Sequence, residues 1–178
     1  TRTTAGLLKH YDIQQKILPH HQFNEHHSVA GVISMLEQGK TIALVSDAGT
    51  PSISDPGYLL VRECLKKDIA VECLPGATAL IPALVNSGLP SDEFIFIGFL
   101  PHKKGRQTAL MQLSNESRTT ILYESPHRLI KALEQFTEFL GADRQISVSR
   151  ELTKLHEETI RGSVSKVLEF FKNKTVKG

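Results

Sequence analysis

Ala43-Leu44-Val45-Ser46-Asp47-Ala48-Gly49-Thr50-Pro51-Ser52-Ile53-Ser54-Asp55-Pro56-Gly57 runs from a short apolar stretch into a turn too rich in Gly and Pro to continue as strand or helix. In open α/β sheets, ligands sit beyond the carboxyl ends of strands, where the turning backbone leaves N–H and C=O groups without ladder partners. Gly49 admits a ligand close to the backbone, while Pro51 and Pro56 stiffen the loop. A plain strand-to-helix connection takes about two to six residues, and the interruption here is about twice that. The excess favours a small-molecule site.

Outward from this turn the pattern is βαβ. Thr41 to Val45 is a predicted strand, Tyr58 to Lys67 a helix with Leu59, Leu60, Val61 and Leu65 inward, and Ile69 to Leu74 a second strand. Before them, Asn24 can cap a helix that carries Val29, Val32, Ile33 and Leu36 at helical spacing and stops at Gly39. After them, the Pro75-Gly76 turn opens a helix from Ala77 to about Ser87, ended by Ser87-Gly88-Leu89-Pro90. Beyond that break come a strand Phe94 to Phe99, a helix Lys103 to Leu113 and a strand Thr119 to Tyr123. Helix Pro126 to Leu140 has Pro in its first turn and Gly141 past its end. Strands Gln145 to Ser149 and Glu157 to Arg161 follow, then helix Val164 to Phe171 with Val167, Leu168 and Phe171 inward. The expected class is α/β with two lobes, 1–91 and 92–178, each a mixed sheet flanked by helices. Thr1 to Leu8 resembles the tail of a helix, so the chain reads as a fragment.

The bulk numbers allow this size of core. The chain has 178 residues, 40% hydrophobic and 22% charged, enough for one ordinary domain or two small ones that share a core. No run of eighteen apolar residues and no charged-then-apolar leader occurs, so neither a membrane span nor a secretion signal is indicated and the default compartment is the cytosol. Cys64 and Cys73 accordingly read as reduced core residues. A net charge of +2 does not announce a nucleic-acid binder, so local clustering has to be judged instead.

Several other clusters carry possible chemistry. Leu74-Pro75-Gly76-Ala77-Thr78 is a second strand-turn-helix with small residues, either tight helix–sheet packing or a second wall of a cleft beside the Gly49 turn. Tyr123-Glu124-Ser125-Pro126-His127-Arg128 puts polar side chains at a strand end, with Ser125 as a simple cap and Glu124 as a solvated acid the bland alternative. Arg150-Glu151-Leu152-Thr153-Lys154 could hold an anionic group or be an exposed charge pair. Pro101-His102-Lys103-Lys104-Gly105-Arg106 is the densest basic run, suited to phosphates or to a solvated charged face. His20, His21, His26 and His27 suggest metal, yet no second ligand set completes a site, so no metal is expected. Neither a G-x-S-x-G elbow nor a G-x-x-x-x-G-K-[ST] loop is present.

Taken together, Val45-Ser46-Asp47-Ala48-Gly49-Thr50-Pro51, Asp55-Pro56-Gly57, Leu74-Pro75-Gly76, Ser87-Gly88-Leu89-Pro90, Gly98-Phe99-Leu100-Pro101, Tyr123-Glu124-Ser125-Pro126-His127-Arg128 and Arg150-Glu151-Leu152-Thr153-Lys154 resemble the ribosomal RNA small subunit methyltransferase I family. The resemblance covers nearly the whole chain with the motifs in order. It implies the tetrapyrrole methylase fold, in which two α/β lobes clamp S-adenosyl-L-methionine, truncated here at both ends. It also implies methylation of the 2′-hydroxyl of a cytidine in the decoding region of 16S rRNA, with the rRNA or the small ribosomal subunit as partner, in a cytoplasmic homodimer. By motif, Asp47, Ala48, Gly49, Thr50, Pro51, Pro75, Gly76, Ala77, Thr78, Tyr123 and Glu124 would touch the cofactor. Asn24 and Glu25 would face the RNA, and Lys103, Lys104, Arg106 and Arg128 are further candidates for it.

Methyl transfer from a sulfonium to a ribose hydroxyl is an in-line displacement, in which alignment supplies most of the acceleration. Asp47 and Glu124, each just past a strand end, are the candidates for taking the hydroxyl proton or balancing the sulfonium charge. Because fold does not dictate substrate, a methylase of a tetrapyrrole or another small molecule is the rival enzyme, and a non-catalytic RNA-binding module the rival outside enzymes.

Overall fold

The computed structural model describes residues 2–21 and 25–176. They fall into two compact units, Thr1–Thr78 and Ala79–Gly178.

In the first unit, helix α1 spans Arg2–His10, α2 Glu25–Glu37 and α3 Tyr58–Lys66. Val29, Val32 and Ile33, three and four residues apart on α2, meet Leu60 and Cys64 of α3 in a small core, with Leu36, Ile42, Leu59 and Ile69 packed around it. Helix α2 stops as its composition predicts. Gly39 takes φ 81°, its N–H bonds the Leu36 carbonyl at 2.9 Å and the Lys40 N–H reaches Met35 at 3.1 Å, the paired bonds of a glycine-closed helix end. On α3 the buried pair is Leu60 and Cys64, whereas Leu65, expected inward, is 61% exposed. One residue beyond Cys64 is a 100° turn away from the core.

The predicted strands Thr41 to Val45 and Ile69 to Leu74 form no ladder among the described residues. The first run keeps the alternation of a strand, with Ile42 and Leu44 half-buried and Ala43 and Val45 exposed. An apolar run becomes a strand only when a neighbour takes up its N–H and C=O groups, and among the described residues no strand pairs with either of these runs. Val45, Val71 and Leu74 stay exposed, as does Cys73, which corrects its reading as a core residue.

The second unit begins with α4, Leu80–Ser87, closed by Gly88 in the left-handed region. The sequence reading sets the lobe boundary at 91/92, while the compact units divide at 78/79, with α4 against the strands that follow. Those strands are β1, Phe94–Phe99, and β2, Thr119–Tyr123, which run parallel with Phe94 opposite Thr119 and Phe99 opposite Tyr123. Strands β3, Gln145–Arg150, and β4, Glu158–Ser163, run antiparallel with Arg150 opposite Glu158. The expected mixed sheet is thus two separate strand pairs among the described residues. Helices α5, Arg106–Ser114, α6, Leu129–Leu140, and α7, Val164–Lys172, cover them. Pro126–Arg128 is a 3-10 turn ahead of α6 rather than its first turn. Ala132, Leu133 and Phe136 of α6 pack on Val164, Val167 and Phe171 of α7, with Leu100 and Leu110 completing the core.

Candidate functional site

In the first unit the 47–57 turn is shaped by its own polar groups. Ser46 Oγ donates to the carbonyls of Ala48 and Gly49, both at 3.0 Å, and so curls the backbone back on itself. Gly49 takes φ 73°, and Ser52 and Ser54 also lie in the left-handed region at 69° and 59°. Two serines there store local strain of the kind found where a loop is shaped for a ligand. Gly57, at φ 144°, has no room for a side chain: a Cβ would meet Ser52 Oγ and stand 2.9 Å from a Leu44 methyl.

The two loops that the sequence marked as opposite walls meet. Thr50 Oγ1 donates to the Ala77 carbonyl at 3.3 Å, and a Cβ on Gly49 would lie 4.0 Å from the same oxygen. Asp47, Ala48 and Gly49 are exposed beside them, as are Pro75, Gly76 and Ala77, while Thr50, Pro51 and Thr78 are half-buried. The first unit therefore presents a small-residue, backbone-rich surface with one carboxylate at its rim, suited to a flat polar ligand. Helix α4 starts at Leu80, later than the predicted Ala77, which leaves Ala77 and Thr78 in the loop.

In the second unit Glu124 follows β2 and is deeply buried, its side chain 6% exposed. Its Oε1 accepts from Arg128 Nε and from the Ser125 N–H, both at 2.8 Å. Its Oε2 receives no hydrogen bond and faces Arg106 Nη2 at 3.6 Å. Arg106 is held in turn by Gln135 Oε1 at 2.7 Å and the Pro101 carbonyl at 3.1 Å. Arg128 Nη1 lies against the His102 ring, 2.8 Å from Nε2. A carboxylate taken out of water stays charged only with such partners. Glu124 and Tyr123 also line a cavity of about 890 Å³ walled by residues of β2, β3 and α6, where Ser147 Oγ is a second buried oxygen without a hydrogen-bond partner. The Tyr123 ring packs edge-on to Phe96 at 5.0 Å between centroids.

The candidate RNA contacts separate. Lys103 and Lys104 are exposed ahead of α5, whereas Arg106 and Arg128 turn toward Glu124. Asn24 lies outside the described residues, and so does the side chain of Glu25. After β3 the charges are paired: Arg150 Nε meets Glu158 Oε1 at 2.7 Å, Lys154 meets Glu151 at 2.8 Å, and Lys174 joins Glu158. The Lys154 hydrogen bond holds the Glu151 carboxyl below its ordinary range. Burial pushes the Cys64 thiol up, which keeps it unreactive. Among the described residues no group of His, Cys, Asp or Glu could hold a metal ion, and no helix is long and apolar enough to cross a membrane. Sequence reasoning missed His102 and Gln135 as supports of the cluster. The available signal was a polar residue, Gln135, half-buried at the border of the apolar stripe of α6.

Residues 3–168 match the family of Tetrapyrrole (Corrin/Porphyrin) Methylases. The chain is 48% identical over its whole length to the Ribosomal RNA small subunit methyltransferase I of Synechocystis sp. and spans 64% of that protein. The protein of the same description from Halalkalibacterium halodurans is 47% identical, with 62% of its length spanned. That from Thermotoga maritima is 43% identical over 98% of this chain and 78% of its own length. The family match over residues 3–168 and these identities establish that the chain belongs to the tetrapyrrole methylases, in their ribosomal RNA small subunit methyltransferase I group.

Proposed function

We propose that the protein transfers the methyl group of S-adenosyl-L-methionine to the 2′-hydroxyl of a cytidine in 16S rRNA, acting in the cytoplasm on the rRNA or the small ribosomal subunit. The observation that carries this reading is the identity of 43–48% to relatives named as small-subunit rRNA methyltransferases, over 98–100% of the chain. The joined loops at Asp47–Pro51 and Pro75–Thr78 support it, since they offer backbone donors and acceptors beside small residues. Tyr123 and Glu124 are the second unit's candidates for the same cofactor.

S-adenosyl-L-methionine, when bound, supplies an electrophilic methyl carbon on a sulfonium. The chain's residues have to orient it, exclude water and accept a proton from the ribose hydroxyl, which needs an acceptor within hydrogen-bond reach. Asp47 and Glu124 are the carboxylates for that acceptor role or for balancing the sulfonium charge. Exposed Lys103 and Lys104 would meet phosphates. Homodimer formation belongs to the same reading.

A small-molecule reading keeps one observation in its favour, the tetrapyrrole description of the family. Offering the intact protein labelled S-adenosyl-L-methionine with small ribosomal subunits in one assay and a reduced tetrapyrrole in another separates the two. Label in RNA alone is expected; label in the tetrapyrrole alone would replace the proposal.

A further inference from the structure

We propose that Arg106 is a positioning residue for Glu124, acting with Arg128 and held by Gln135, and that it is not a phosphate contact; the assignment rests on the methyl-transfer reading above.

Arg106 closes the densest basic run of the chain, yet its side chain is only 11% exposed. A guanidinium that binds phosphate must present its fork of N–H donors outward. Here all three nitrogens face acceptors of the protein itself: Nε the Gln135 amide oxygen, Nη1 the Pro101 carbonyl and Nη2 the Glu124 carboxylate. The adjoining Lys103 and Lys104 are exposed, so the run splits into an outward half and an inward half.

The geometry at Glu124 shows what the inward half does. Arg128 and the Ser125 N–H anchor Oε1, which stops the carboxylate from rotating. Oε2 is left buried without a donor, and 3.6 Å is too long for Arg106 to supply one. At that separation Arg106 offsets the charge but leaves the lone pairs of Oε2 open to another group. Gln135 fixes the guanidinium plane, so the device is a carboxylate with one oxygen tied down and one kept available.

The test uses the intact protein, labelled S-adenosyl-L-methionine and small ribosomal subunits that lack the modification. Arg106→Gln, Arg106→Lys and Gln135→Leu are measured alone and with Glu124→Gln. Arg106→Gln is expected to lower kcat by about tenfold to hundredfold, the scale of a misplaced reacting group. Arg106→Lys should restore part of it. The KM for subunits and the slope of binding against salt should stay as in the unsubstituted protein, and Arg106→Gln should have no further effect once Glu124 is Gln, because it acts through that residue. Gln135→Leu keeps every charge of the cluster and should lower kcat several-fold at unchanged KM, so the assignment is decided even where Arg106→Gln fails to fold. A salt slope reduced by about one with raised KM and unchanged kcat would make Arg106 a phosphate contact and overturn the assignment. Additive losses in the Glu124→Gln background, or full kcat in the Arg106 and Gln135 variants, would overturn it too. Absence of transfer by the unsubstituted protein would instead sink the methyl-transfer reading, and the assignment with it.

Discussion

Gly57 is the residue on which the first unit's long turn depends most directly. At φ 144° it occupies backbone that side chains rarely adopt, and a Cβ there would strike Ser52 Oγ and crowd Leu44. Gly57→Ala is expected to destabilise the protein by about 1–3 kcal/mol, read as a lower denaturant midpoint at constant slope. Asp47 and Glu124 carry the chemistry proposed for the site. Asp47→Ala and Glu124→Ala should each lower turnover by at least about tenfold, and two variants of full activity would contradict that placement. The Arg118 side chain, and then its N–H, hold the Glu116 carboxyl at about 2, below its ordinary value. The hydrogen bond from Lys154 likewise lowers Glu151, and bonds from Lys174 and Arg150 lower Glu158 against the opposing effect of burial. Carboxyls depressed in the folded state stabilise it above their unfolded values, and that contribution is lost as pH falls through the folded ones. Stability should therefore decline as pH drops from 4.5 toward about 2, and Glu116→Gln should flatten part of the decline. Because the Glu116–Arg118 pair is exposed, its share is small.

Among the elements, α6 and α7 hold the second unit together. Leu133 and Phe171 are at most 1% exposed at their contact. Leu133→Ala should cost about 2–5 kcal/mol and Phe171→Ala about 3–5 kcal/mol, measured by denaturant unfolding, whereas Leu65→Ala on the open side of α3 should cost far less. The second unit was legible because each apolar run is bounded by a turn signal. Phe94–Phe99 and Thr119–Tyr123 lie where the pattern put them, and α6 ends at Gly141 as expected. Thr41 to Val45 was equally apolar, but strand pairing is a property of two segments, and sequence periodicity describes one. The same limit applies at the site. The Gly-rich turns stand out in the sequence, but placing them side by side took neighbouring parallel strands that do not form among the described residues; Thr50 and Ala77 meet through a single side-chain hydrogen bond instead. The Glu124 cluster did not stand out, because Arg106 and Gln135 come from distant elements and a buried arginine is written with the same letter as a solvated one.

For the whole molecule, the family assignment rests on the full length of the chain, and the activity proposed for it rests on what the relatives are named to do. If RNA is the acceptor, binding should weaken steeply as salt is added, since each phosphate contact releases counterions, and Lys103→Ala with Lys104→Ala should lower the slope by about two. A flat salt response would point to a small uncharged acceptor. The most direct measurement is transfer of labelled methyl from S-adenosyl-L-methionine, by the intact protein, into small ribosomal subunits lacking the modification, followed by alkaline hydrolysis of the RNA. Label is expected in an alkali-resistant dinucleotide, because a methylated 2′-hydroxyl cannot attack its neighbouring phosphate. Label absent from RNA, or recovered only in mononucleotides, would contradict 2′-O-methylation.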